Sequence, residues 1–135
     1  MVENTLSIKA VDFNFYYGSH HALKNINLDV MKNKVMAMIG PSGCGKSTFL
    51  RSINRMNDLI EGTQAKGALL FGGMDVNEKS VDVTRLRREV GMVFRKPNPF
   101  PKSIFENVAY GLRVNRLFNG RDDLNVKVEQ SLREA

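Results

Sequence analysis

Gly40-Pro41-Ser42-Gly43-Cys44-Gly45-Lys46-Ser47 decides how this chain is read. It satisfies the G-x-x-x-x-G-K-[ST] pattern, with an apolar run before it and helix-like sequence after it. Glycines at those positions let backbone N–H groups turn inward around phosphates, Lys46 can reach the outer phosphates, and the Ser47 hydroxyl suits a magnesium ion. The pattern points to a nucleoside triphosphate site.

Immediately before the loop, residues 35–39 (Val-Met-Ala-Met-Ile) form a continuous apolar run. Such a run suits a strand buried on both faces, as in a parallel sheet covered by helices. After the loop, Phe49, Leu50, Ile53 and Met56 fall at helical spacing. This predicts a helix over 47–57 whose first turn points at the phosphates.

Further upstream, residues 6–15 alternate with one slip, which predicts a strand with a bulge or kink. Tyr16-Tyr17-Gly18-Ser19 reads as a turn, and 22–30 alternates again, so the two segments form an antiparallel pair. Downstream, 61–67 reads as a polar connection, 68–71 as a short strand, Gly72-Gly73 as a turn, and Asp82 as the cap of a helix over 83–89. A strand is expected over 90–94. Residues 96–101 hold three prolines in six positions, an irregular loop lacking three backbone donors. Ser103-Ile104-Phe105-Glu106 opens a helix with a capping box, and Leu124, Val128 and Leu132 mark a last amphipathic helix from about Asp122.

Composition sets bounds. The 135 residues suffice for one domain or part of one, with 42% hydrophobic and 25% charged residues as in ordinary soluble proteins. No apolar run approaches the ~20 residues of a membrane span, and no signal peptide is read. Cys44, the one cysteine, cannot pair internally, and it occupies a free position of the loop. The net charge of +6 admits nucleic acid or an acidic surface as partner. The basic residues are nevertheless scattered, and the densest group, Arg85, Arg87 and Arg88, lacks interleaved aromatics for base stacking; it reads as a solvated helix face, without nucleic acid. His20 and His21 read as exposed turn residues rather than metal ligands.

The order of these features resembles the N-terminal half of an ABC transporter ATPase domain, an α/β P-loop NTPase with an antiparallel β subdomain and part of a helix-covered, mostly parallel sheet. More narrowly, 91–94 (Gly-Met-Val-Phe) followed by 96–108 (Lys-Pro-Asn-Pro-Phe-Pro-Lys-Ser-Ile-Phe-Glu-Asn-Val) looks like the ATP-binding subunit of bacterial phosphate importers. The match covers nearly the whole chain. It implies that residues 1–135 are a partial ATP-binding domain, with the family's signature sequence, acidic strand and switch histidine outside it. Such a piece is expected to hold phosphates, to hydrolyse ATP poorly, and to aggregate when made alone.

The resemblance also implies roles. Tyr17 would stack on adenine, with Tyr16 as the register alternative. Gly40, Pro41, Ser42, Gly43, Cys44, Gly45, Lys46, Ser47 and Thr48 would bind ATP, with Ser47 on magnesium. Residues 97–107 would face the membrane-spanning permease subunits. A second ATP-binding subunit would complete a homodimer, a periplasmic or extracellular phosphate-binding protein would act indirectly, and the assembly would sit peripherally on the cytoplasmic face of the inner membrane. Where the family has a glutamine near magnesium and the attacking water, this chain has Arg95. A guanidinium about 5 Å from a divalent cation is repelled by roughly 6 kcal/mol at an effective dielectric of about 20. At this catalytic position Arg95 is therefore expected to swing away from magnesium or to pair with the γ-phosphate instead. The rival readings are an ABC ATPase of another importer, such as one for amino acids, a DNA-associated ABC-type ATPase, and a small P-loop kinase.

Overall fold

The computed structural model describes residues 6–135. It divides into two compact units, one ending at Met92 and one running Val93–Ala135. The first is built on a four-stranded antiparallel sheet. β1 (Leu6–Tyr17) turns through Gly18 and Ser19 into β2 (His20–Met31), β3 (Thr63–Phe71) pairs on the other side of β1, and β4 (Met74–Asp75) follows the Gly72-Gly73 turn, giving the order β2-β1-β3-β4.

The slip in the β1 alternation is a bulge. Register shifts between Ala10 and Phe13 against β2, and between Val11 and Asn14 against β3. Asp12 takes a left-handed φ of 43° there, and its backbone N–H and carboxylate are both bonded by the Asn27 amide, at 2.9 and 3.0 Å. The extra residue lets Ala10 before it and Phe13 and Phe15 after it share one face, all three buried. Gly67 opposite has φ 79°, and a Cβ placed on it would stand 2.1 Å from the Asp12 carbonyl oxygen. Only glycine fits against the bulge.

On that face sits the core: Ala10, Phe13, Phe15, Leu23 and Leu69 from the sheet, Phe49 and Ile53 from α1 (Lys46–Ile53), then Val76, Val81 and Leu86. Phe13 and Phe49 meet edge to face at 6.4 Å. Helix α1 is shorter than its apolar spacing suggests, because Arg55 is left-handed (φ 57°) and the chain continues as a 3-10 turn, Met56–Leu59. Arg87, on α2 (Val83–Glu89), donates to the carbonyls of Asn54 and Arg55 at 3.2 and 2.8 Å. It thereby satisfies acceptors just beyond the end of α1. Of the three arginines read as a solvated face, Arg87 is thus tied down, while Arg85 is exposed and paired with Glu89. Asp82 caps α2 through the N–H groups of Thr84 and Arg85, as expected.

Four expectations change. Residues 63–67 are strand rather than connection, because their polar side chains occupy a strand paired through Tyr17↔Thr63 to Asn14↔Lys66. Residues 35–39 and 90–94 are irregular rather than strands. Val35, Ile39 and Val93 are fully exposed or nearly so, at 101%, 96% and 100%. A strand exists only through ladder hydrogen bonds, and every pairing among the described residues is antiparallel, so neither apolar run has a parallel neighbour. His21 also differs, being half-buried, stacked on Tyr16 at 4.2 Å and hydrogen-bonded to Asn14 Oδ1 at 2.8 Å.

The second unit packs α3 (Ile104–Val114) against α4 (Gly120–Glu134) around Ala109, Leu124 and Val128, with Phe105, Val108, Leu112 and Phe118 at the margin. Ser103 caps α3 by accepting from the Glu106 N–H at 3.1 Å. The Glu106 carboxylate is turned instead to Arg113, which bonds both its oxygens.

Candidate functional site

The loop at 40–48 joins the irregular segment to the start of α1, and its glycines hold it open. Gly43 (φ 83°) and Gly45 (φ 95°) lie in the left-handed region. A Cβ on Gly45 would stand 2.6 Å from Leu23 Cδ2 and 3.3 Å from the Ala22 carbonyl oxygen, so this glycine lets α1 begin directly against β2. Gly45 is also the N-cap, and no side chain caps the helix. The first-turn N–H groups therefore remain available at the positive end of the helix.

Lys46 supplies the other positive charge. Its ammonium donates to the carbonyls of Gly40 and Pro41, both at 2.7 Å, and lies 3.3 Å from Cys44 Sγ. It is thus folded back onto its own loop. The hydrogen bond from Lys46 holds the exposed Cys44 thiol below its usual pKa. Ser47 is exposed beside it, and Thr48 is half-buried. Two left-handed glycines, an uncapped helix start, a lysine folded onto the loop and an exposed hydroxyl make a donor set that fits a triphosphate with its magnesium ion.

Tyr17 reaches this loop from the sheet. Its hydroxyl lies 3.3 Å from both Thr48 Oγ1 and Asn57 Oδ1, and its ring meets Phe15 edge to face at 5.2 Å. Tyr16, the register alternative, is engaged elsewhere, stacked on His21 with Lys66 Nζ 5.4 Å from its ring centroid. The fold therefore brings Tyr17 and the 40–48 loop together within the first unit. Sequence reading missed Asn57, which is 1% exposed and bonded to Thr48, Ser52 and Tyr17. The one available signal was an amide lodged between Met56 and Leu59 in a stretch of otherwise apolar periodicity.

Arg95 lies in the second unit, exposed, and no ion pair of it occurs among the described residues. The proline loop beside it is held by Asn107, whose amide donates to the carbonyls of Phe100, Lys102 and Ser103 and accepts from the Phe100 N–H at 2.8 Å. One side chain thus orders a segment in which prolines cannot donate. Phe100 packs on Tyr110, with ring centroids 4.6 Å apart.

Fold and loop define an α/β protein with a glycine-rich loop before a helix, and comparison places it: the chain belongs to the ABC transporter family, which matches residues 23–135. It is similar to the phosphate import ATP-binding protein PstB of Cytophaga hutchinsonii, 61% identical over 96% of this chain and 52% of the relative. The proteins of that name from Bacteroides fragilis and a Synechococcus strain are each 53% identical, over 99% and 98% of this chain and 53% and 49% of theirs. The chain therefore spans about half the length of the curated relatives it matches. Among solved structures it resembles cbiO1 from Clostridium perfringens, part of the ABC transporter complex cbiONQ, with a TM-score of 0.77 and 26% identity over 96% of this chain and 50% of that one. A bacterial Atm1-family ABC exporter with ATP bound matches with a TM-score of 0.66 and 29% identity, over 82% of this chain and 18% of the exporter. No helix among the described residues is long and apolar enough to cross a membrane.

Proposed function

We propose that residues 1–135 are part of one ABC-type ATP-binding domain, in a subunit that couples ATP binding and hydrolysis to phosphate import. The observation that carries this reading is the 61% identity to a phosphate import ATP-binding protein over nearly the whole chain, phosphate loop and proline loop included. In this reading Tyr17 stacks on adenine, and the backbone of 40–48 wraps the phosphates. Lys46 exchanges its contacts to the Gly40 and Pro41 carbonyls for the outer phosphate oxygens. Ser47 holds magnesium, which neutralises phosphate charge. Residues 97–107 meet the membrane-spanning permease subunits on the cytoplasmic face of the inner membrane. A second copy completes the nucleotide-binding dimer, and a periplasmic or extracellular phosphate-binding protein acts through the permease.

Uptake of radiolabelled phosphate by cells lacking the coding sequence tests this reading. Uptake is expected to fall and to be restored by the intact gene but not by Lys46→Ala. Normal phosphate uptake with lost amino-acid uptake would transfer the assignment to the rival importer.

Arg95 belongs to the same proposal as a modulator. Standing where the family has a glutamine, it weakens magnesium binding or slows hydrolysis by charge repulsion. Arg95→Gln in the hydrolysing protein is expected to raise turnover at limiting magnesium, and turnover unaltered across a magnesium titration would refute the role.

A further inference from the structure

Resting on the ATP reading, we propose that Asn57 is a positioning residue that ties the base platform, Tyr17, to the phosphate loop, so that the two ends of a nucleotide are held in register. The amide is 1% exposed, and both of its ends are used. Its Nδ2 donates to the Thr48 carbonyl and to Ser52 Oγ, each at 2.9 Å, and its Oδ1 faces the Tyr17 hydroxyl at 3.3 Å. Thr48 O can only accept, which fixes the amide orientation and leaves Oδ1 for the tyrosine.

The surrounding contacts close the network. Ser52 Oγ donates to Thr48 O at 2.8 Å, and the Tyr17 hydroxyl also lies 3.3 Å from Thr48 Oγ1. Two consecutive segments, the first turn of α1 and the 3-10 turn, therefore meet the end of β1, 40 residues away, at one buried side chain. A buried amide that lost these partners would be left unsatisfied, so the arrangement is enforced by desolvation. An aliphatic side chain could fill the volume but could hold neither Thr48 nor Tyr17. Tyr16, on β1 beside Tyr17, is stacked on His21 instead.

The consequence is specific to nucleotides. If the tether aligns Tyr17 with the loop, breaking it removes the base's share of binding and leaves the phosphates' share. A general loosening of the fold would weaken both alike. The test titrates ATP and inorganic tripolyphosphate, each with magnesium, into the full chain and into Tyr17→Phe, Asn57→Leu and the double variant. Each single variant is expected to lower ATP affinity about fivefold, the worth of one hydrogen bond, and Tyr17→Phe, which leaves the Asn57–Thr48 bond in place, to hold tripolyphosphate affinity within about twofold. The double variant should be no weaker than the worse single one, because both act through one contact chain. Tyr17→Phe keeps the ring and decides the matter alone if Asn57→Leu does not fold. For Tyr17→Phe, unchanged or increased ATP affinity, or a parallel loss of both ligands, overturns the tether but not the nucleotide reading. A wild-type chain that binds no ATP overturns the nucleotide reading and the tether with it.

Discussion

At Gly45 backbone freedom and close packing coincide. Its φ of 95° is costly for any side chain, and a Cβ would press on Leu23 and the Ala22 carbonyl. Gly45→Ala is therefore expected to destabilise the first unit by about 1–3 kcal/mol. It should also abolish binding of a fluorescent ATP analogue, since relief of the clash must move the start of α1. Denaturant melts read the first effect and titration the second; a variant as stable as wild type would show that the loop relaxes freely. The backbone geometry of the candidate site's loop was legible at this scale, because the G-x-x-x-x-G-K-S spacing encodes local conformation that needs no distant partner. Asn57 was not legible. Its importance comes from contacts with residues 9 and 40 positions away, and sequence spacing carries no trace of them.

Among the elements, helix α4 shows how one carboxylate supports a helix start. Asp123 accepts from Lys127 Nζ at 2.9 Å and from the Asn119 N–H at 2.7 Å. The Lys127 hydrogen bond, and then the Asn119 N–H, hold its pKa below the usual carboxylate value. Because the folded value is the lower one, this support is complete above the unfolded carboxylate value of about 3.9 and is lost as pH falls through the folded value. Far-UV circular dichroism should show helicity declining in acid, and Asp123→Asn should remove part of that decline. Identical acid profiles for the two proteins would count against the capping role. Legibility at this scale followed the range of the cause. Caps at Asp82 and Ser103 and the period of β1 and β2 are local and were readable, as was the β1 bulge from its slipped alternation. The polar first half of β3 was not, because its strand state comes from pairing with β1 and not from its own composition.

For the whole molecule, the two units each assemble their own core, and the apolar runs at 35–39 and 90–94 contribute little to either. Val35, Ile39 and Val93 stand exposed in short hydrophobic tracts without ladder partners among the described residues. Such tracts template intermolecular pairing. In the 135-residue chain, Val35→Ser with Ile39→Ser is expected to reduce light scattering on concentration while shifting stability by no more than about 1 kcal/mol, as for two exposed positions. Undiminished aggregation would place the sticky surface elsewhere.

By itself the sequence determined what is set within a few residues: the phosphate loop, the helix caps, the bulged strand, the hairpin, and a resemblance strong enough to name the family. Tertiary structure decided what depends on partners far along the chain. It chose Tyr17 over Tyr16 as the aromatic facing the loop, made Arg87 a cap beyond the end of α1, and lengthened β3. It also left 35–39 unpaired among the described residues and made Asn57 the joint between Tyr17 and Thr48. The physical reason is common to all of these. Backbone conformation at a glycine or a cap is a local energy, whereas a strand, a buried amide or a ring's facing side is fixed only by the groups that come to lie against it.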